Sequence, residues 1–309
     1  MVASTAYLLI SHGSRDPRPQ EAMSRLADLV RKHLEATPHS PAGDYDMLES
    51  QQFSNAERIF LDRIQAQIYP PNDCPERSPI ASDQTNLLTR PRTKVQSPTH
   101  SKVIVGTACL ELSTLPLSEQ IYQFALRLKA AGVSELKLLP MFLMSGVHVM
   151  EDIPAEVAAA KQLLRDHWPS DHMLKLTLCP HLGSHAKIPE MLASRLASVP
   201  AEGSLLVAHG SRKPKGNRAI MGLAKRIGTK VAYWATPPDI ETQVIALMQQ
   251  GCQRLTILPY FLFAGGITDA ITHRTEELAE RFPKVNFRLL PSLGATDEIA
   301  QLAVEIARY

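Results

Sequence analysis

The tetrapeptide His-Gly-Ser-Arg occurs twice in the chain, beginning at His12 and at His209, each time directly after an apolar run. A third histidine, His148, follows another apolar run, and Asp152 lies four residues later. A pair of imidazoles with a carboxylate nearby suits a divalent first-row transition metal, or acid–base catalysis near neutral pH. His12 and His148 are therefore candidate metal ligands and catalytic residues.

The residues after each of the repeated histidines could bind an anion. Ser14 and Arg15 precede an amphipathic segment, and the second copy offers Arg212 and Lys213. The free N–H groups and the dipole at a helix N-terminus attract carboxylates and phosphates, and a nearby cation adds to this attraction. These four residues are candidate contacts to an acidic substrate.

Short apolar runs alternate with segments of helical periodicity along the chain. This alternation predicts strands at 6–11, 102–109, 135–142 and 174–180, and then at 204–208, 229–235, 253–261 and 285–290, with a helix after each. Alternating strands and helices form parallel sheets with helices on both faces, and ligands collect at the carboxyl ends of the strands. The predicted fold class is α/β, with two duplicated domains, each a four-stranded parallel sheet flanked by helices.

Three ordered sequence matches indicate that the chain arose by duplication. The segments "LLISHGSRDP", "AAGVSELKLLPMFLMSG" and "CPHLG" are followed, in the same order, by "LLVAHGSRKP", "QQGCQRLTILPYFLFAG" and "LPSLG". We therefore predict one domain at residues 1–200 and a second at residues 201–309. The first carries an insert at about 34–101 whose later part, 70–101, is rich in proline, serine and threonine, which predicts partial disorder.

The duplication predicts unequal halves. Aligning "PMFLMSGVHV" with "PYFLFAGGIT" sets Ile267 opposite His148, and His273 falls one helical turn later. The second half thus keeps His209 but has an apolar residue in place of its partner. We expect the first half alone to form a working site.

Composition and charge exclude several classes of protein. The chain has 309 residues and a net charge of +2, which favours neither nucleic acid nor a membrane surface as a partner. The four cysteines are scattered without a Cys-x-x-Cys pair, so neither a zinc knuckle nor a disulfide framework is indicated. The sequence contains no apolar run long enough to span a bilayer and no signal peptide pattern. We expect a cytoplasmic protein, and a monomer, since a fused pair of halves can form a cleft by itself.

The segments "LLISHGSRDP", "LLPMFLMSGVHVMEDIP" and "CPHLG" together resemble the class II sirohydrochlorin chelatases, of the CbiX/SirB type in its long two-domain form. These enzymes insert cobalt or ferrous iron into sirohydrochlorin, a tetrapyrrole polycarboxylate. The resemblance covers about residues 6–34 and 102–309 and omits the insert.

The resemblance implies a cleft between the halves and assigns roles to individual residues. His12 and His148 would bind the metal and help to remove pyrrole protons, and Glu111, in "CLELS", would be a third metal ligand. The residues that would contact the substrate are Ser14, Arg15, Asp152, Arg212 and Lys213. Co²⁺ or Fe²⁺ would be a substrate, for cobalamin or siroheme synthesis. No permanently bound cofactor is expected, because the sequence lacks the cysteine-rich tail that carries an iron–sulfur cluster in some long members.

Two other functions fit part of the pattern. A metal or tetrapyrrole carrier could use the same two histidines to hold its cargo without turnover. A histidine-dependent phosphoryl-transfer enzyme could use His12 as a nucleophile, but the arginine that precedes His-Gly in such enzymes is replaced by Ser11 and Ala208.

Overall fold

Strands and helices alternate throughout the described part of the chain. The computed structural model describes residues 5–36, 103–168, 174–213 and 216–308. The strands are β1 (Thr5–Ser11), β2 (Val105–Cys109), β3 (Glu135–Pro140), β4 (Lys175–Leu178), β5 (Gly203–Ala208), β6 (Lys230–Tyr233), β7 (Arg254–Pro259) and β8 (Asn286–Leu289). The α-helices are α1 (Pro17–Ala36), α2 (Leu117–Ala130), α3 (Ile153–His167), α4 (Ile188–Ala197), α5 (Arg218–Arg226), α6 (Ile240–Gln249), α7 (Gly266–Arg281) and α8 (Asp297–Ala307).

The strands form two four-stranded sheets with the same topology. The strand orders are β2-β1-β3-β4 and β6-β5-β7-β8, and every pair is parallel. The predicted fold class is therefore confirmed. Because β1 lies between β2 and β3, the loops that leave these three strands emerge side by side at one edge of the sheet.

Alternating side chains of each central strand enter two different cores. On β1, Tyr7 and Leu9 contact one buried cluster, whereas Leu8 and Ile10 contact another that includes α2 and α3. This is the period of two that a β-strand imposes on its side chains, and it explains why β1 is apolar along its whole length. β5 is arranged in the same way, with α6 and α7 covering its outer face.

The two halves share their inner core. One cluster of buried side chains joins helices of both halves, including Leu26 of α1, Leu192 of α4, Ile220 of α5 and Ile299 of α8. These four helices form a layer between the sheets, and α1 packs directly against α8. The predicted domain boundary between residues 200 and 201 falls between α4 and β5 and stays a prediction, because the apolar packing is continuous across the two halves.

The structure corrects several predicted boundaries. Strands β3 and β7 end at Pro140 and Pro259, two residues earlier than predicted. Proline has no N–H to donate, and the pairing with the outer strands β4 and β8 stops before it. The helix predicted at 149–168 begins with a π-helical turn, His148–Asp152. α1 runs into the predicted insert as far as Ala36, and the rest of the insert lies outside the described residues. None of the described helices is long and apolar enough to cross a membrane.

Candidate metal centre

Three neighbouring strand ends bring His12, Glu111 and His148 together. His12 follows the central strand β1, Glu111 follows β2 on one side, and His148 lies beyond the end of β3 on the other. The two imidazole rings meet edge to face, with centroids 4.8 Å apart. Nε2 of His12 lies 3.8 Å from Oε2 of Glu111, and Nε2 of His148 lies 4.0 Å from Oε1 of the same carboxylate. One ligand atom of each residue thus lies within 4.8 Å of the other two. We call these three residues the triad.

Gly13 allows the loop that carries Glu111 to approach His12. The Glu111 N–H donates to the carbonyl oxygen of His12 at 2.8 Å. Gly13 has a φ of +99°, and a Cβ atom at this position would lie 2.0 Å from the Glu111 carbonyl oxygen. Both the backbone conformation and the close approach therefore require glycine at this position. This explains structurally why glycine follows His12.

The π-helical turn follows from the sequence around Pro154. The N–H of Ile153 donates to the carbonyl oxygen of His148, five residues back, which is the bond that defines a π turn. Pro154 has no N–H to bond the carbonyl of Met150, and its ring would clash with that carbonyl in a regular α-helix. The wide turn removes this conflict. It also sets Asp152 beside His148, so that Nδ1 of His148 and Oδ2 of Asp152 are 2.7 Å apart.

The triad has the donor set of a transition-metal site with open positions. Two imidazole nitrogens and one carboxylate suit iron or cobalt in the divalent state. Ligand atoms that bind one ion at about 2.1 Å lie about 3–4 Å apart, so small side-chain movements would complete the site. The Asp152 carboxylate on Nδ1 leaves the Nε2 lone pair of His148 for a metal. His12, Glu111 and His148 are 50%, 49% and 35% exposed, so a ligand can reach an ion from solvent.

The sequence of the chain matches one protein family in both halves. The CbiX family model matches residues 92–199 and again residues 203–308. The chain belongs to the CbiX family. Among curated proteins it is 22% identical over 223 residues to the sirohydrochlorin cobaltochelatase of Priestia megaterium, covering 67% of this chain and 69% of that one. It is 23% identical over 209 residues to the sirohydrochlorin ferrochelatase of the same organism, covering 62% and 73%.

Solved structures agree with this membership at the level of the fold. SirB from Bacillus subtilis with Fe³⁺ has a TM-score of 0.62 at 15% identity, over 99% of this chain and 94% of that one. A cobalt complex of SirB from Bacillus subtilis subspecies spizizenii has a TM-score of 0.56 at 15% identity, with the same coverage. At identities this low the structures show the fold alone. The predicted CbiX/SirB-type family, in its two-domain form, is confirmed by the two matches to the family model.

Of the triad and Asp152, the second half retains a counterpart only of His12, namely His209. The Ala235 N–H donates to the His209 carbonyl oxygen just as the Glu111 N–H donates to that of His12, so alanine occupies the place of the glutamate. The sequence match sets Ile267 and Ile271 opposite His148 and Asp152. His273 lies on α7, where it pairs with Glu276 and Glu277. Among the described residues, the triad is the only group of three or more His, Cys, Asp or Glu side chains whose ligand atoms all lie within 4.8 Å of one another.

The residues predicted to bind substrate lie around the triad or on the opposite half. Ser14 accepts a hydrogen bond from the Asp16 N–H. With His12, it lines an open cavity of about 160 Å³ whose lining includes Phe261, Leu262 and Phe263 of the second half. Arg15, Arg212 and Lys213 are exposed. Asp152 contacts His148, as described above.

Arg18 connects the halves beside this cavity, a role that its position in the sequence does not reveal. Its guanidinium bonds Asp16 and reaches across to Asp269 of α7, with Nη1 3.1 Å from Oδ1. Hydrogen bonds from Arg18 lower the pKa of both carboxyl groups. All three side chains are accessible to water, so the contribution to stability is small.

A second cavity between the halves, of about 350 Å³, is lined by His181, His185, Arg226 and Tyr260 among others. Burial lowers the pKa of His181, because the charged imidazolium loses hydration there. Burial also raises the pKa of the Tyr260 phenol, whose O–H donates to the Leu143 carbonyl oxygen at 3.2 Å. Tyr260, directly after β7, thus links the end of that strand to the loop that follows β3.

Proposed function

We propose that this protein inserts a divalent metal ion, Co²⁺ or Fe²⁺, into sirohydrochlorin, and that His12, Glu111 and His148 deliver the ion. The observation that carries the proposal is the triad itself. It offers three side chains that commonly bind transition metals, accessible from solvent, in a member of the CbiX family. The Priestia megaterium relatives, a cobaltochelatase and a ferrochelatase, support this substrate.

Metal insertion requires a site that holds the ion weakly enough to release it. The ion must lose water molecules, pass from protein ligands to four ring nitrogens, and displace two N–H protons. Three ligands with exposed side chains leave coordination positions open for water and then for the ring nitrogens, whereas a closed four-ligand site would retain the metal. The Glu111 carboxylate offsets part of the charge of the ion, and a histidine that loses the metal becomes a base for a pyrrole proton.

The surroundings of the triad suit the flat face of a tetrapyrrole. Leu112, directly after Glu111, and Met150, two residues after His148, are 58% and 65% exposed. The Phe142 ring centroid is 6.4 Å from the centroids of both histidines. Exposed apolar side chains of this kind mark a surface that an apolar ligand covers.

The carboxylates of sirohydrochlorin need partners at the edge of this surface. We assign this role to Arg15, Arg212 and Lys213, which are exposed cations, together with the hydroxyl of Ser14. Asp152, which the sequence suggests as a further substrate contact, has a different role in this proposal: it orients His148. No resident cofactor is needed, because the metal is itself a substrate.

Turnover on sirohydrochlorin tests the proposal. Purified protein is given the tetrapyrrole with Co²⁺, Fe²⁺ or Ni²⁺ under anaerobic conditions, and metallation is followed by the change in the visible spectrum. We expect a rate well above that of the uncatalysed reaction for Co²⁺, Fe²⁺ or both. A preference for cobalt would indicate cobalamin synthesis, and one for iron would indicate siroheme synthesis. Binding of metal and tetrapyrrole without acceleration would instead establish a carrier.

A further inference from the structure

We propose that Gln120 is a positioning residue for Glu111, and that it maintains the metal affinity of the triad. The inference rests on the proposed metal-delivering role of the triad. Glu111 is the single negatively charged ligand among the three, and it is carried by the loop between β2 and α2.

The loop has an apolar anchor in Leu110, just before Glu111, but none in the four residues that follow Leu110. Residues 111–114 are all exposed. Leu112, directly after Glu111, has a φ of +57°, a left-handed conformation that a residue with a Cβ rarely adopts. Such a conformation persists only where the surrounding contacts enforce it. The hydrogen bond from the Glu111 N–H to His12 is one such contact, and the Leu110 N–H donates to the Ser11 carbonyl oxygen just before it.

The carboxamide of Gln120 joins the two ends of this loop. Its Oε1 accepts from the Cys109 N–H at 3.0 Å, and its Nε2 donates to the Cys109 carbonyl oxygen at 2.8 Å. The same Nε2 donates to the Leu115 carbonyl oxygen at 2.9 Å. Cys109 ends β2 and Leu115 lies just before α2, so one side chain fixes both ends of the segment that carries Glu111.

The second half differs from the first both in the metal ligand and in the group that holds the strand end, since the Tyr233 N–H, which matches that of Cys109, donates to the Pro238 carbonyl oxygen at 2.8 Å. Helix α2 has 14 residues and its counterpart α6 has 10. Both helices end at the first residue of the matching segments "AAGVSELKLLP" and "QQGCQRLTILP", so the extra turn of α2 is at its N-terminal end. Gln120 lies in that turn. The half that has Ala235 in place of Glu111 therefore lacks the glutamine and the turn that carries it.

Loss of the carboxamide should loosen the loop and weaken metal binding. Outer partners that orient metal ligands typically contribute about 10–100-fold to metal affinity or activity. The variant Gln120→Met keeps the length of the side chain and removes all three hydrogen bonds. Gln120→Glu keeps the acceptor for the Cys109 N–H and removes both donors. The matched control is Gln123→Met on the same helix, where the amide bonds Glu119 at 3.2 Å and does not contact the loop.

The full-length variants are compared in three measurements: Co²⁺ titration by visible absorption, amide hydrogen exchange of residues 110–115, and KM and kcat for sirohydrochlorin. For Gln120→Met we expect a Co²⁺ Kd raised about 10–100-fold, faster loop exchange and an almost unchanged KM for sirohydrochlorin. Gln120→Glu should show the same changes, and Gln123→Met none of them. The loop exchange distinguishes positioning from a general loss of stability, because only residues 110–115 should change.

A folded Gln120→Met protein with normal Co²⁺ affinity and normal loop exchange would overturn the inference, as would a change confined to KM for the tetrapyrrole or to thermal stability. Failure of the proposed function gives a different result. In that case the unaltered protein would bind Co²⁺ without metallating sirohydrochlorin, while the Gln120 variants would still differ from it in Co²⁺ affinity and loop exchange.

Discussion

Replacing Asp152 by alanine should weaken metal binding at the triad without affecting recognition of the tetrapyrrole. Oδ2 of Asp152 lies 2.7 Å from Nδ1 of His148, so the carboxylate orients the imidazole and keeps Nε2 free for the ion. This role differs from the substrate contact that the sequence suggests. The two roles predict effects on different constants, so one variant separates them.

The size of the effect follows from the geometry. A hydrogen bond with one charged partner contributes about 1.5–3 kcal/mol. His148 and Asp152 are 35% and 44% exposed, so water competes for the bond and the lower value applies. About 1.4 kcal/mol corresponds to a tenfold change in an equilibrium constant, so the Co²⁺ Kd of Asp152→Ala should rise about tenfold. Asp152→Asn retains an acceptor oxygen but no charge, and should fall between this variant and the unaltered protein.

Co²⁺ titration by visible absorption gives the Kd, and initial rates over a range of sirohydrochlorin concentrations give KM and kcat. The control variant is Asp166→Asn on α3, where the carboxylate accepts a hydrogen bond from Gln162 and lies on an exposed surface. A normal Co²⁺ Kd in Asp152→Ala, combined with a raised KM for sirohydrochlorin, would refute the orienting role and favour the substrate contact.

Three further predictions test the asymmetry, the apolar surface and the second cavity. His12→Ala removes a metal ligand and should weaken Co²⁺ binding by about 100-fold or more, since loss of a group that only orients a ligand costs about 10–100-fold. His209→Ala should change Co²⁺ binding less than about twofold. Equal losses in the two variants would contradict a single working half. Met150→Ser should raise KM for sirohydrochlorin by about two- to tenfold, because an apolar contact to the tetrapyrrole is lost. The control Leu163→Ser, at an exposed position on α3, should leave KM unchanged. A normal KM in both variants would show that the tetrapyrrole does not cover Met150. Burial lowers the pKa of His181, so below pH 6.5 the unfolded state binds more protons than the folded state, and the free energy of unfolding should fall as the pH decreases from 6.5 towards the folded-state pKa. The variant His181→Gln should make urea unfolding less dependent on pH in this window. An unaltered pH dependence would contradict the lowered pKa of His181.

The fold could be predicted from the sequence because its signals are local. A strand buried on both faces is apolar along its length, as in β1, and each is followed by a segment of helical period. The parallel order then brings strand ends together, so His12 and His148 could be paired before any distance was known. Glu111 gave no such signal, because it begins a run of exposed loop residues after β2, where a single glutamate is common, and its place in the site came from the resemblance.

The sequence by itself determined the fold class, the duplication, the family and the histidine pair. Each of these depends on residue type and periodicity over short spans, which the chain states directly. Only the tertiary structure decided which groups meet: Asp152 on His148, Gln120 on the ends of the Glu111 loop, Arg18 on Asp269 across the two halves, and Ala235 in the place of the glutamate. These contacts depend on strand register, on the π turn at Pro154 and on the layer of helices shared by both halves. The π turn has a local cause in Pro154, whereas the register and the shared layer arise from packing of distant segments, which no local pattern of residues encodes.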